Sequence, residues 1–138
     1  MPSQPGDGRG SCGRAGETLA CNLLERRGYR IVDINVRPGT GIGVRGEIDI
    51  IAWDGPTLCF IEVKTRRARA NEDVFPAEAV TLAKQRQIAR LAQVYTVRCH
   101  LYDEVPLRFD VVAITLADRD SDTRLELIRG AFFAPEGF

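Results

Sequence analysis

The sequence has a single histidine, His100, and no C-x-x-C pair among its four cysteines, Cys12, Cys21, Cys59 and Cys99. Structural zinc sites are built from paired Cys and His ligands, so this scarcity argues against one. Cys21 and Cys59 fall in an expected helix and an expected strand and read as buried free thiols. His100, near the end of an expected helix, reads as a surface or cap residue rather than a catalytic base. No stretch approaches the ~20 apolar residues that span a bilayer. The opening MPSQPGDGRGS also lacks the apolar segment of a secretory signal. A cytoplasmic protein without a membrane partner is the expectation. Net charge is missing too, with 19 basic against 19 acidic residues. Long-range steering of a polyanion is therefore weak, and affinity for one has to come from a local patch.

What is present suits one folded unit. A chain of 138 residues with 44% hydrophobic content can bury a single core. Residues 1–12, rich in Gly, Pro and Ser, read as a flexible tail, residues 13–133 as one domain, and 134–138 as a C-terminal tail. GRAGETLACNLLERR, residues 13–27, has an apolar stripe of Leu19, Ala20, Leu23 and Leu24 and predicts an amphipathic helix closed by Gly28. A strand is expected over Tyr29 to Val36, then a glycine-rich loop from Arg37 to Gly46. Glu47 to Trp53 and Thr57 to Thr65 read as strands of an antiparallel hairpin, turning at Asp54-Gly55-Pro56. Arg66 to Phe75 reads as a polar loop. A second helix is expected from near Pro76 to about Val97, with Val80, Ile88, Leu91, Ala92 and Tyr95 on its apolar side. Strands at Phe109 to Leu116 and Leu125 to Arg129 complete an αβββαββ order, an α/β or α+β arrangement of helices around a mixed sheet.

The chemistry concentrates in the hairpin. Strand side chains alternate faces, so Glu47 and Asp49 are expected on one face, and Glu62 and Lys64 on one face of the next strand. Ile48, Ile50, Ile61 and Val63 would then share the core face. The plain reading is an ordinary solvated hairpin in which Glu62 and Lys64 form a weak surface pair. The alternative is a hard divalent cation. Mg²⁺ takes oxygen ligands and retains waters. Asp49 and Glu62 can supply carboxylates and Val63 a carbonyl, with Lys64 orienting or activating water and offsetting negative charge. Mn²⁺ is the substitute ion. Glu17 is either a first-turn acid favoured by the helix dipole or a further group facing the site. Glu47 is either a ligand or a group that orients one. Basic residues outnumber acidic ones 11 to 8 through residue 70, and Arg66, Arg67 and Arg69 follow the hairpin directly. Those arginines suit contacts to a phosphate backbone, which position a duplex without reading bases. Lys84 and Gln85 on the second helix are either solubilising or further phosphate contacts. There is no helix-turn-helix, zinc finger or RNA-binding aromatic pair.

Asp49 followed by Glu62-Val63-Lys64 resembles the PD-(D/E)xK motif of restriction-endonuclease-like nucleases, with Ile48 in the degenerate first position. The segments GRAGETLA, INVRPG, RGEIDIIAWDG, FIEVKTR, EAVTLAKQRQI, RFDVVAI and the closing AFF resemble, in the same order, the YraN-like family of predicted endonucleases. The resemblance runs from about Gly13 to Phe133. It implies a restriction-endonuclease-like core with a mixed central sheet flanked by helices, similar to archaeal Holliday-junction resolvases. By that resemblance Asp49 and Glu62 bind metal, Lys64 is catalytic, Glu17 and Glu47 line the cleft, and Lys84 is accessory. Asp110 matches a family position as well, and a structural pairing with an arginine is expected of it. One departure is Pro76 after Phe75, where the family has glycine after an aromatic residue. The implied activity is Mg²⁺-dependent hydrolysis of DNA, branched or damaged DNA included, with RNA left open. A homodimer is the expectation for a junction cut at two matched positions. The competing function is a nuclease-fold module that binds nucleic acid or a protein without cleaving.

Overall fold

The computed structural model describes residues 15–67, 80–101 and 104–135. Helix α1 (Ala15–Arg26) leads into β1 (Arg30–Val36), β2 (Ile48–Asp54) and β3 (Thr57–Arg67). Helix α2 (Leu82–Arg98) then precedes β4 (Leu107–Leu116), a 3-10 turn (Asp120–Asp122) and β5 (Arg124–Phe132). The strands form one sheet in the order β1-β2-β3-β4-β5. β3 and β4 run parallel, as a crossover through α2 permits, and the other neighbours are antiparallel. The α/β architecture of a mixed sheet flanked by helices is therefore the one expected. Among the described residues no helix is long and apolar enough to cross a membrane.

Each face of the sheet has its own core. Ala20, Cys21, Leu23 and Leu24 of α1 pack on Ile34, Ile50, Ala52, Cys59, Ile61, Val112 and Ile114. Ile88, Ala89, Leu91 and Ala92 of α2 pack on Ile48, Ile51, Leu58, Phe60, Phe109 and Val111. Helix α1 ends as its sequence predicts. Gly28 adopts φ 93°, and the Tyr29 N–H reaches back to the Leu24 carbonyl at 2.9 Å. The hairpin closes with Asp54 opposite Thr57, leaving Gly55 (φ 60°) and Pro56 in the turn.

Several expectations need correction. First, Arg66 and Arg67 are not loop residues. They pair with Thr115 and Leu116 as the end of β3, because the parallel ladder to β4 extends that far. Second, α2 does not run unbroken from Pro76. Thr81 sits in extended backbone (φ −66°, ψ 160°) and caps the helix by accepting the Lys84 N–H, so the helix begins at Leu82. Val80 is buried as expected but precedes the helix. Third, Ile48 does not share a face with Ile50 and Ile61. It packs on the α2 side while they pack on the α1 side. The reason lies in β1, where Asn35 takes a left-handed φ of 53° between Ile34 and Val36. Those two pair with Ile50 and Ile48, so the break in alternation passes to β2. The last strand also runs longer than Leu125 to Arg129. The tail 1–12, the Phe75-Pro76 departure and Arg69 lie outside the described residues.

Asp110 has the structural role expected of it. It is fully buried on β4. It accepts from the Tyr29 hydroxyl at 2.7 Å, from Arg108 Nε at 2.9 Å and from the Gly130 N–H at 2.9 Å. Arg108 also reaches Asp54 at 2.7 Å, tying the hairpin end to β4 and β5. Burial and the Asp110 hydrogen bond push the Tyr29 hydroxyl well above its ordinary range, so it stays a donor.

Candidate metal centre

The charged residues of β2 and β3 meet away from the Asp110 network. Asp49 leans across the hairpin, and its Oδ2 accepts the Val63 N–H at 2.8 Å. Glu62, only 6% exposed, follows Phe60 on the α2 side of β3. Its Oε2 lies 3.4 Å from Lys64 Nζ, as strand alternation predicts, and 4.0 Å from Lys84 Nζ on α2. Lys84 therefore belongs to the carboxylate cluster itself.

Glu17 arrives from α1 and is also 6% exposed. The close approach depends on Gly16, where a Cβ would collide with the Thr65 hydroxyl of β3. Two carboxylates can only be met by amide donors, so the Asn35 amide is assigned with its nitrogen toward them, 3.0 Å from Glu17 Oε2 and 2.9 Å from Glu47 Oε2, and one amide then links two carboxylates. Arg37 meets Glu47 on its exposed side at 3.4 Å. The loop carrying Glu47 is pinned by Gly46, whose φ of 119° suits glycine and whose missing side chain leaves room for Gln87 and Leu91.

Electrostatics register the crowding. The Asp49 carboxyl is pushed up to about 7, first by burial, then by the neighbouring Glu62 charge. The Val63 N–H opposes that shift, Glu17 adds to it, and Lys84 partly offsets it. Like charges in a desolvated site disfavour ionisation in this way, and a cation among them reverses the preference.

Not every expected residue joins the cluster. Gln85 donates to the Val80 carbonyl at 3.0 Å, which anchors the start of α2. Arg66 is half-buried and in phase with Glu62 and Lys64 along β3, whereas Arg67 is exposed and in the opposite phase. Asn35 and Arg37 were not singled out by sequence reasoning. The only local signal for Asn35 is its tolerance of left-handed backbone, which many surface turns share.

The donor set can be tested against a divalent ion. Among the described residues, no three His, Cys, Asp or Glu side chains are grouped so as to hold a metal by themselves. Mg²⁺ does not require that, since it is commonly held through one or two carboxylates and keeps several waters. Oxygen donors that repel one another, half-buried Asp49 and buried Glu62 foremost, fit such an ion by charge and by donor type.

The uncharacterised protein family UPF0102 matches this sequence over residues 16–114, a span that contains every member of the cluster. The chain belongs to the UPF0102 family. A UPF0102 protein of Symbiobacterium thermophilum is 48% identical over 122 residues, covering 88% of this chain and 96% of the relative. One from Geobacter sulfurreducens is 48% identical over 120 residues, 87% of each chain. One from Chlorobium limicola is 46% identical over 112 residues, 81% of each. Membership of the YraN-like group expected from the motifs is thus borne out, and the UPF0102 match extends across α1, the hairpin, α2 and most of β4.

Proposed function

We propose that this UPF0102 protein is a divalent-metal-dependent endonuclease of the PD-(D/E)xK type that hydrolyses DNA phosphodiester bonds. The observation that carries the reading is the convergence of Asp49, Glu62 and Lys64 across one hairpin, with Asp49 anchored on the Val63 N–H and Glu62 beside Lys64. An ordinary solvated hairpin does not account for a Glu that is 6% exposed beside an Asp whose ionisation is suppressed.

Asp49 and Glu62, with the Val63 carbonyl, would hold Mg²⁺ or Mn²⁺, which supplies neutralisation of phosphate charge and a lowered pKa for water. The remaining work falls to the chain's own residues. Lys64 Nζ orients the attacking water and donates to the phosphate oxygen where negative charge builds up. Glu62 holds that ammonium in place. Asn35 keeps Glu17 and Glu47 at the cleft without cancelling their charge, as a lysine or arginine there would.

A second reading takes the Glu62–Lys64 contact at 3.4 Å as a structural ion pair. In that reading the protein retains the site but binds nucleic acid or a protein without cutting. The test is cleavage of end-labelled four-way, flap, single-stranded and duplex DNA and matched RNA, in Mg²⁺, Mn²⁺ or chelator. Asp49→Ala, Glu62→Ala and Lys64→Ala are compared with the parent chain. Metal-dependent cleavage lost in all three folded variants supports the endonuclease. Equal cleavage by parent and variants removes the site assignment, and tight binding without cleavage favours the second reading. Paired cuts in a junction by a species that sediments as a monomer would count against a homodimer.

A further inference from the structure

The chain is neutral overall, yet two of its segments are not. Arg37–Gly46 and Leu82–Arg98 together hold six basic residues, Arg37, Arg45, Lys84, Arg86, Arg90 and Arg98, and no Asp or Glu. Fold topology joins them. Gln87 Nε2 donates to the Arg45 carbonyl at 3.4 Å, and Arg98 Nη2 donates to the Thr40 carbonyl at 2.9 Å. Gly46 lies directly against Gln87 and Leu91. Loop and helix therefore form one surface. Lys84 beside Glu62 and Arg37 beside Glu47 carry the same helix and loop to the candidate centre.

We infer that this surface binds the phosphate backbone of duplex DNA, an inference that rests on the endonuclease reading for its orientation but not for its test. Arg86 and Arg90 are exposed and one helical turn apart, so both guanidinium groups project from the same side of α2, away from buried Ile88. Arg45 is exposed on the adjoining loop. A ridge of guanidinium groups with no acid among them fits a row of phosphates, through charge and through forked hydrogen bonds.

The same surface disfavours other occupants. Single strands are held largely by stacking on aromatic rings. Phe133 is the one large exposed aromatic among the described residues, and it lies beyond β5 rather than on this ridge. RNA is distinguished through its 2′-hydroxyls, which need free hydroxyl and amide partners. Here Thr40 Oγ1 donates to the Arg37 carbonyl, and Gln85 and Gln87 donate to Val80 and Arg45.

The experiment is binding of the full chain to a fluorescent DNA duplex in chelator, at several salt concentrations, read by anisotropy. Duplex RNA and single-stranded DNA of matched length run alongside. Arg86→Gln with Arg90→Gln should weaken duplex binding about tenfold or more at low salt and lower the slope of log K against log salt by about 1 to 2. Arg119→Gln with Arg124→Gln, exposed basic residues off this surface, should leave both unchanged. Equal effects of the two pairs, absence of duplex binding at low salt, or tighter binding of RNA or single strands would overturn the inference. Cleavage by the parent chain with no effect of the α2 pair on binding would remove this surface and leave the centre. Loss of binding in the α2 pair with no cleavage of any substrate by the parent would do the reverse.

Discussion

Asp49 reaches across the hairpin to accept the Val63 N–H at 2.8 Å, so a carboxylate of β2 is held by the backbone of β3. That bond offsets only part of what burial and the Glu62 charge impose on Asp49.

Stability in chelator should report this directly. The Asp49 carboxyl rises from an ordinary 3.8 to about 7 in the folded chain. An acid with a raised folded pKa contributes stability that is complete below its unfolded value and is lost as pH rises through the folded one. Asp49→Asn keeps an oxygen for the Val63 N–H and removes the charge. Its melting temperature should match the parent near pH 4, exceed it progressively up to about pH 7 and keep a constant lead above that, by a free energy on the order of a few kcal/mol. Millimolar Mn²⁺ above pH 7 should raise the parent's melting temperature and not the variant's. A constant difference between the two proteins across pH would mean that Asp49 is not the suppressed carboxylate.

Gly16 and Gly46 should respond differently to a methyl group. Gly16→Ala drives a Cβ into the Thr65 hydroxyl, and overpacking of this kind costs roughly 1–3 kcal/mol. Thr65→Ala removes that oxygen and should recover much of the loss in the double variant. Gly46→Ala meets Gln87 and Leu91 and also carries a φ of 119°, so Gln87→Ala should recover little. Urea denaturation of the two double-mutant cycles measures both.

The Asp110 network should matter for stability alone. Asp110→Ala leaves Arg108 and the Tyr29 hydroxyl without their buried acceptor and should cost about 3 kcal/mol or more in urea denaturation. Mn²⁺ affinity of the folded variant should be unchanged. Asp54, held below its ordinary carboxylate range by Arg108, contributes stability above that ordinary value and loses it as pH falls through the lowered one. Asp54→Ala should accordingly flatten the acid limb of the stability curve, and an unaltered limb would exclude the pairing in solution.

Thiol labelling separates the cysteines. Cys99 is exposed, while Cys21 and Cys59 are buried. Burial pushes the Cys59 thiol up to about 12. In native buffer a maleimide should modify Cys99 rapidly, and Cys21 and Cys59 only on unfolding, as peptide mapping of labelled protein would reveal.

Much of the fold is legible in short-range pattern. The stripe of Leu23 and Leu24, the Gly28 stop, the Asp54-Gly55-Pro56 turn and the apolar run of β4 are local signals, and each element formed near its expected place. The errors lie where long-range pairing overrides local reading. Arg66 and Arg67 look like loop residues until β4 supplies a parallel partner. Ile48 looks like a companion of Ile50 until Asn35 breaks the alternation in the neighbouring strand.

The candidate centre divides in the same way. Sequence by itself determined that Glu62 and Lys64 share a side of a strand, because two-residue alternation is a property of extended backbone. It also supplied the motif order that places the chain in its family. Only the tertiary structure decided that Glu17 of α1 and Lys84 of α2 act on Asp49, and that Asn35 joins Glu17 to Glu47. Those relationships arise from two helices packing on opposite faces of one sheet and from a single left-handed residue at its edge, and neither is encoded in the spacing of any one segment.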